Sequence, residues 1–172
     1  VGGIGHETAR LLTEFGVKVI GIDPRPEYQV EGMEIYPPEK LQELLPKADF
    51  VITTVPHTPV TEFTFNAEAF GLMKNSAYFI NIGRGMVCKI DDLADAIESG
   101  DIAGCGLDVY EVEPLPADHK LWGLDNVLMT PHVAIVDAEN IPERRFEILL
   151  ENAKSFLSGE TLKNVVDKET WY

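Results

Sequence analysis

The chain has 172 residues and a formal net charge of −15, from 29 acidic side chains against 14 lysines and arginines. Its 45% hydrophobic and 25% charged content is ordinary globular usage, which excludes wholesale disorder, and its length suits about one domain rather than a complete two-domain enzyme. The acidity argues against nucleic acid and against a surface of anionic lipid, since both are held through Lys and Arg; a small anionic ligand stays open where a local basic group receives it.

The two cysteines, Cys88 and Cys105, form no CxxC pattern, and so few cysteines fit a reducing compartment better than secretion. No apolar run reaches the ~18 residues of a membrane span, and no signal peptide is visible. The chain opens Val1-Gly2-Gly3-Ile4-Gly5, without a strand before the glycines. This reads as a glycine turn whose strand lies upstream.

Along the chain, helical and strand patterns alternate. Residues 6–15 read as a helix with Ala9, Leu11, Leu12 and Phe15 on its apolar face and Gly16 as the stop. Residues 17–22 form a β-branched run ending at Asp23-Pro24, 38–45 a short helix, and 50–55 a strand ending at Pro56. A Thr- and Pro-rich stretch comes next, then a helical turn at 67–73 and a strand at 77–82 ending at Gly83. Residues 91–99 read as a helix capped by Asp91 or Asp92 and closed by Gly100. Residues 102–107 form a strand ending at Asp108, 111–125 a Pro-containing loop, and 127–130 a strand ended by Pro131. Residues 137–158 then read as one long helix of about 33 Å. Its stripe is Ile141, Phe146, Leu149, Leu150, Ala153 and Leu157, Gly159 closes it, and Pro142 delays its start.

Strands alternating with helices imply crossover connections and a parallel sheet. The strand runs are apolar throughout, as strands covered on both faces are. The fold class is therefore α/β, a doubly wound parallel sheet of the Rossmann dinucleotide-binding type with its first strand missing. In the order 3-2-1-4-5-6 that strand is central, so the second strand (17–22) and the fourth (77–82) are expected to flank a gap. The 172 residues alone are then expected to aggregate or stay partly unfolded and to show no turnover.

Ligands in such a sheet bind beyond the carboxyl ends of the strands. There the sequence places, in order, Gly2-Gly3-Ile4-Gly5, Asp23, Val55-Pro56-His57, Gly83-Arg84-Gly85, Asp108 with Glu111 and Glu113, and Pro131-His132. Gly2 and Gly5 are two-thirds of a G-x-G-x-x-G, which lets the backbone meet a pyrophosphate at a helix N-terminus. Asp23 ends the next strand, where a carboxylate accepts hydrogen bonds from the adenosine ribose hydroxyls. Together they point to a bound dinucleotide, and Asp23 points to NAD rather than NADP, because a 2′-phosphate would meet a carboxylate. Arg25, two positions on, is either a phosphate contact or a solvated loop charge. Arg84 between two glycines suits bidentate capture of a carboxylate. His132 becomes an acid–base candidate if a carboxylate holds one ring nitrogen, and Glu113 or Glu111 is the partner. His57 is a candidate pocket residue, while His6 and His119 carry no assigned role, and no metal site is assigned.

These residues resemble the cofactor-binding part of the D-isomer-specific 2-hydroxyacid dehydrogenases. The resemblance rests on Gly2 to Gly5, the VPHTPVTE stretch from Val55 to Glu62, Asn81-Ile82-Gly83-Arg84-Gly85, GCGLDVYEVEP from Gly104 to Pro114, and Thr130-Pro131-His132. It implies that Arg84 binds the substrate carboxylate and keto oxygen, that His132 is the acid–base paired with Glu113, and that Asp108 binds the nicotinamide carboxamide. Gly2, Gly3, Ile4, Gly5, Asp23, Pro56, Thr61, Ile82, Gly83, Arg84, Asp108 and His132 would then contact NAD. A Glu beside the His is similar to the hydroxyacid enzymes; the formate dehydrogenase branch has Gln there. Where the family has small residues and then Ser or Thr after the His, this chain has Ile135 and Asp137.

The expected activity is therefore hydride transfer between NAD(H) and a 2-hydroxy or 2-keto acid, by a cytoplasmic homodimer without nucleic-acid or membrane partners. Residues 1–136 would be the NAD-binding domain, and 137–172 a helix and tail that return to a substrate-binding half outside this chain. Two alternatives stand beside this reading, a dinucleotide-sensing corepressor of the same fold and an inactive cofactor-binding fragment. The basic or disordered extensions expected of a regulator are not visible.

Overall fold

A computed structural model describes residues 1–25, 32–135 and 139–169. The chain divides into two units, Val1–His132 and Val133–Tyr172.

In the first unit, α1 (Gly3–Glu14) leads to β1 (Ile20–Ile22), which pairs in parallel with β2 (Glu34–Tyr36). A 3-10 turn and the short α2 (Leu41–Leu44) lead to β3 (Phe50–Thr53). Then come α3 (Ala67–Gly71), β4 (Tyr78–Asn81), α4 (Ile90–Ser99), β5 (Gly104–Leu107) and β6 (Val127–Met129). Strands β3 to β6 form one parallel sheet in sequence order. This is the α/β alternation expected.

The sheet break is not flanked as expected. The sequence pattern shows no strand at β2, so β3 rather than β4 (within the 77–82 run) faces the break, and β4 is an interior strand between β3 and β5. Among the described residues the Val1 side chain packs beside β1, where a Cβ on Gly21 would stand 2.8 Å from it.

The core explains the strand composition. Phe79 of β4 is fully buried, with ring centroids 4.8 Å from Phe65 and 5.3 Å from Phe70. Leu93 and Ile97 of α4, Ile102, Leu107 and Leu121 close over it. Cys88 and Cys105 belong to this core as free thiols; burial pushes Cys105 up to about 12 and Cys88 well above its ordinary value, so neither is a nucleophile. Helix α4 ends at Gly100 in the left-handed conformation. Its start is Ile90, without a side-chain cap from Asp91 or Asp92. Instead Glu111 accepts from the Ile90 N–H at 3.3 Å, while Asp92 accepts from the Ala67 N–H at the start of α3 at 2.9 Å.

In the second unit, α5 spans Ile141–Ser158 and closes at a left-handed Gly159. Pro142 lies in its first turn, as expected of a delayed start; the expected start at residue 137 lies outside the described residues. The Asn152 side chain brackets the Lys163 backbone, donating to its carbonyl at 3.1 Å and accepting from its N–H at 2.8 Å. Phe146, Leu149, Phe156 and Leu157 on α5 are exposed.

Candidate functional site

Parallel register puts the strand ends in one row. Thr53, Asn81, Leu107 and Met129 are consecutive partners across β3 to β6. The loops leaving these strands therefore emerge at one edge, and β1 supplies Asp23 at its own carboxyl end.

Helix α1 begins at Gly3 with Gly2 as its N-cap, and no side chain caps it. A Cβ at Gly2 or Gly3 would have nothing within 4 Å, so no neighbouring atom fills the space beside this turn. An anionic group fits there, drawn by the unpaired donors and the helix dipole. Gly5 is closer-set, since a Cβ there would stand 3.1 Å from Thr54 Oγ1, and Ile4 is exposed.

Asp23 is buried, and Arg25 wraps its carboxylate. Oδ1 accepts from the Arg25 N–H at 3.0 Å and Nε at 2.8 Å, and Oδ2 accepts from Arg25 Nη2 at 2.8 Å. The Arg25 fork, against the opposing effect of burial, holds the Asp23 carboxyl far below its ordinary range.

After β3, Thr61 organises the loop. Its hydroxyl donates to the Pro56 carbonyl at 2.6 Å and accepts from the Thr58 N–H at 2.8 Å. His57 is half-exposed and lies 3.4 Å from Glu62.

After β4, buried Asn81 shapes the arginine loop. Its side chain accepts from the Gly83 N–H at 3.1 Å and donates to the Arg84 carbonyl at 3.1 Å. Ile82 is half-buried beside it. Gly83 is needed for close approach, since a Cβ there would stand 2.8 Å from the Val55 carbonyl oxygen. Gly85 is tighter still: a Cβ would lie 1.7 Å from the Tyr110 carbonyl oxygen. Arg84 is exposed between them, with one guanidinium nitrogen donating to the Gly83 carbonyl at 2.7 Å.

After β5 and β6, a polar network joins the two loops. Glu113 Oε2 lies 2.7 Å from His132 Nδ1, and its Oε1 accepts from the Tyr110 N–H at 3.0 Å. Partial burial works to raise the Glu113 pKa, but the bonds to His132 and Tyr110 outweigh it and hold the carboxyl below its ordinary value. Glu111, turned to α4, is not the partner of His132. Thr130 donates its hydroxyl to Asp108 Oδ1 at 2.6 Å, and its carbonyl accepts the Tyr110 hydroxyl at 2.9 Å and the His132 N–H at 3.1 Å. His132 sits at φ 54°, a left-handed conformation uncommon outside glycine.

His6 and His119 stand apart from this network. His6 is exposed on α1, and His119 Nδ1 accepts from the Leu121 N–H at 3.2 Å. The sequence pattern assigns no role to Asn81, Tyr110 or Thr130. A polar side chain at a buried strand end, such as Asn81, is the one signal that could have found them.

The family described as D-isomer specific 2-hydroxyacid dehydrogenase, NAD binding domain, matches residues 1–134. A glyoxylate reductase of Thermofilum pendens is 39% identical over 173 residues, covering 98% of this chain and 50% of the relative. Among solved structures, a D-isomer specific 2-hydroxyacid dehydrogenase of Xanthobacter autotrophicus Py2 in complex with NADPH and MES superposes with a TM-score of 0.92 at 37% identity, covering 99% of this chain and 69% of that one. An NADPH-dependent glyoxylate/hydroxypyruvate reductase of Sinorhizobium meliloti in complex with NADP and sulfate gives 0.90 at 36%, covering 100% and 55%. The chain spans about half the length of the curated relatives it matches.

Proposed function

Because this chain belongs to the D-isomer-specific 2-hydroxyacid dehydrogenase family through its NAD-binding domain, we infer that the protein is an NAD-dependent oxidoreductase acting on a 2-hydroxy or 2-keto acid. The observation that carries this reading is the Glu113–His132 pair on the same strand edge as Arg84 and the open glycine turn of α1.

The open α1 N-terminus and Asp23 are the groups that would hold the pyrophosphate and the adenosine ribose. Asp108 would accept a hydrogen bond from the nicotinamide carboxamide, with Pro56, Thr61 and Ile82 along the cofactor. When bound there, the cofactor would supply the hydride for reduction or accept it in oxidation.

The side chains of this chain handle charge and proton. Arg84 keeps free N–H edges beyond its single bond to Gly83, which suits a carboxylate and the adjacent keto oxygen. Glu113 fixes His132 by Nδ1, so Nε2 is the nitrogen left to face a substrate oxygen. In reduction Nε2 gives its proton to the carbonyl oxygen; in oxidation it takes the proton from the hydroxyl. The Glu113 carboxylate stabilises the charged imidazolium between those steps.

Asp23 favours NAD, although two solved relatives carry NADPH or NADP. The dinucleotide-sensing alternative draws no support from the relatives. The exposed apolar side chains of α5 support packing of residues 137–172 against a substrate-binding half. A cytoplasmic homodimer fits the family, and no helix among the described residues is long and apolar enough to cross a membrane.

The test is NADH oxidation by the protein at its full natural length with a panel of 2-keto acids, glyoxylate and hydroxypyruvate included. Turnover with at least one is expected, and lost in His132→Gln. Absence of turnover across the panel overturns the reading.

A further inference from the structure

We propose that Asn81 is a positioning residue for substrate capture: it sets where the Arg84 guanidinium stands, and through it the affinity for the substrate carboxylate. The proposal rests on the 2-keto acid reading above and deepens it at the arginine.

Arg84 stands between two glycines that sterics demand, because the Val55 and Tyr110 carbonyl oxygens leave no room for a Cβ at position 83 or 85. Glycine is the most conformationally free residue, so the neighbours that make room for the arginine do not fix its direction. Asn81, at the end of β4, does so through a closed ring of three hydrogen bonds. Its Oδ1 accepts from the Gly83 N–H at 3.1 Å, the Gly83 carbonyl accepts from Arg84 Nη1 at 2.7 Å, and the Arg84 carbonyl accepts from Asn81 Nδ2 at 3.1 Å. One amide therefore grips the backbone before and after the Arg84 Cα, and the guanidinium is tied to the glycine that the same amide holds.

The anchor is fixed while the arginine is not. Asn81 is only 1% exposed, its own carbonyl accepts the Asp108 N–H at 3.0 Å, and the next residue, Ile82, donates its N–H to the Thr53 carbonyl at 3.2 Å. Arg84 is exposed. A long exposed side chain loses rotamer freedom when it captures a ligand, and one whose base is already held loses less. The residue type follows from the ring, since a side-chain amide presents an acceptor to an N–H and a donor to a C=O from one rigid plane. A carboxylate at this position would set an oxygen against the Arg84 carbonyl. Asn81 itself meets no substrate and acts through Arg84.

The experiment is steady-state kinetics with a turned-over 2-keto acid, beside NADH titrations and thermal melts, on the protein at full natural length. Asn81→Ala removes both amide bonds. Asn81→Ser keeps the bond to Gly83, since a hydroxyl closes the same turn onto the N–H two residues on, but it is too short to donate to the Arg84 carbonyl. KM for the keto acid should rise about tenfold in Asn81→Ala, the scale of one hydrogen bond, and by less in Asn81→Ser, while NADH affinity changes far less than KM. In an Arg84→Ala background, Asn81→Ala should raise KM no further, because the two residues act as one. A further rise there, comparable to that in the wild-type background, would overturn the proposal, as would an unchanged KM in the folded single variants. KM, kcat and NADH affinity failing together in step with the melting temperature, or loss of the fold in both variants, would make Asn81 a residue of the fold and overturn the proposal as well. Absence of turnover by the wild type with every 2-keto acid would instead overturn the functional reading, and the role of Asn81 with it.

Discussion

Tyr110 holds Glu113 by its backbone, the N–H donating to Oε1 at 3.0 Å, and so leaves Oε2 for His132 at 2.7 Å. The same residue donates its hydroxyl to the Thr130 carbonyl, and its own carbonyl oxygen leaves room only for a glycine at position 85. Tyr110 is thus the meeting point of the loops that carry Arg84, Glu113 and His132. Three segments far apart in sequence are locked by one residue, which is how the site keeps its geometry on loops rather than on helices or strands.

The Glu113 contacts give a pH dependence with a definite sign. The folded carboxyl titrates below its ordinary value of 4.5 because His132 and the Tyr110 N–H favour the charged form over the cost of partial burial. Stability from a depressed carboxyl is present above the unfolded pKa and lost as pH falls through the folded one. Thermal melts from about pH 6 to about pH 3 should show a larger loss of Tm in the wild type than in Glu113→Gln, which has no charge to lose. Equal slopes would show that the pair contributes nothing to stability.

His132 and Arg84 should fail in different ways. His132→Gln keeps the size of the side chain but removes the transferable proton, so kcat should fall about 10²–10⁴-fold. NADH affinity should be retained. Arg84→Ala removes the carboxylate fork, so KM for the keto acid should rise as well as kcat fall, and Arg84→Lys should recover only part of both. Steady-state kinetics with matched NADH titrations check the contrast; an unchanged kcat in His132→Gln takes it out of the mechanism.

The strand-end residues are legible in the sequence because a parallel sheet delivers all its carboxyl ends to one edge, whatever the loops then do. Asp23, Arg84, Asp108, Glu113 and His132 come from that rule. Strand β2 is not legible: Glu34-Ile35-Tyr36 has one aliphatic residue, sits between Gly32 and two prolines, and pairs on one side only. The start of α4 departs from the pattern for a tertiary reason. Asp92 is a good cap by residue type, but it serves α3, and the Ile90 N–H is taken by Glu111 from 21 positions away. The choice between Glu111 and Glu113 has the same character. Both lie in one loop, and only the backbone path around Tyr110 and α4 sends one to a helix and the other to His132. Arg25 is legible only as a charge near Asp23, because nothing in a sequence counts the donors on a carboxylate.

Thr130 ties the cofactor side of the site to the proton side. Its hydroxyl bonds Asp108 Oδ1 at 2.6 Å, and its carbonyl receives both Tyr110 and His132. Thr130→Val keeps the shape and the carbonyl but deprives a buried carboxylate of a donor. Stability should fall by about 1–3 kcal/mol, the cost of leaving a buried polar group short of a partner. NADH affinity should weaken with it, while Thr130→Ser retains both. Equal behaviour of the Val and Ser variants in melts and titrations would rule out the hydroxyl as the cause.

Gly85 tests the junction at Tyr110 from the other side. A Cβ there would lie 1.7 Å from the Tyr110 carbonyl oxygen, 2.0 Å from its carbon and 2.7 Å from the Glu111 nitrogen. All three are backbone atoms, so no rotamer change relieves the clash; one loop must move. Overpacking a well-filled site costs about 1–3 kcal/mol and more where backbone is displaced, so Gly85→Ala should sit at or above the top of that range. Whichever loop yields, Arg84 is carried away from the Glu113–His132 pair, so a surviving variant should lose kcat beyond what its melting temperature explains. Gly71→Ala is the matched control, since a Cβ there meets nothing within 4 Å. A Gly85→Ala protein as stable and active as that control would mean that the loops do not meet at Tyr110.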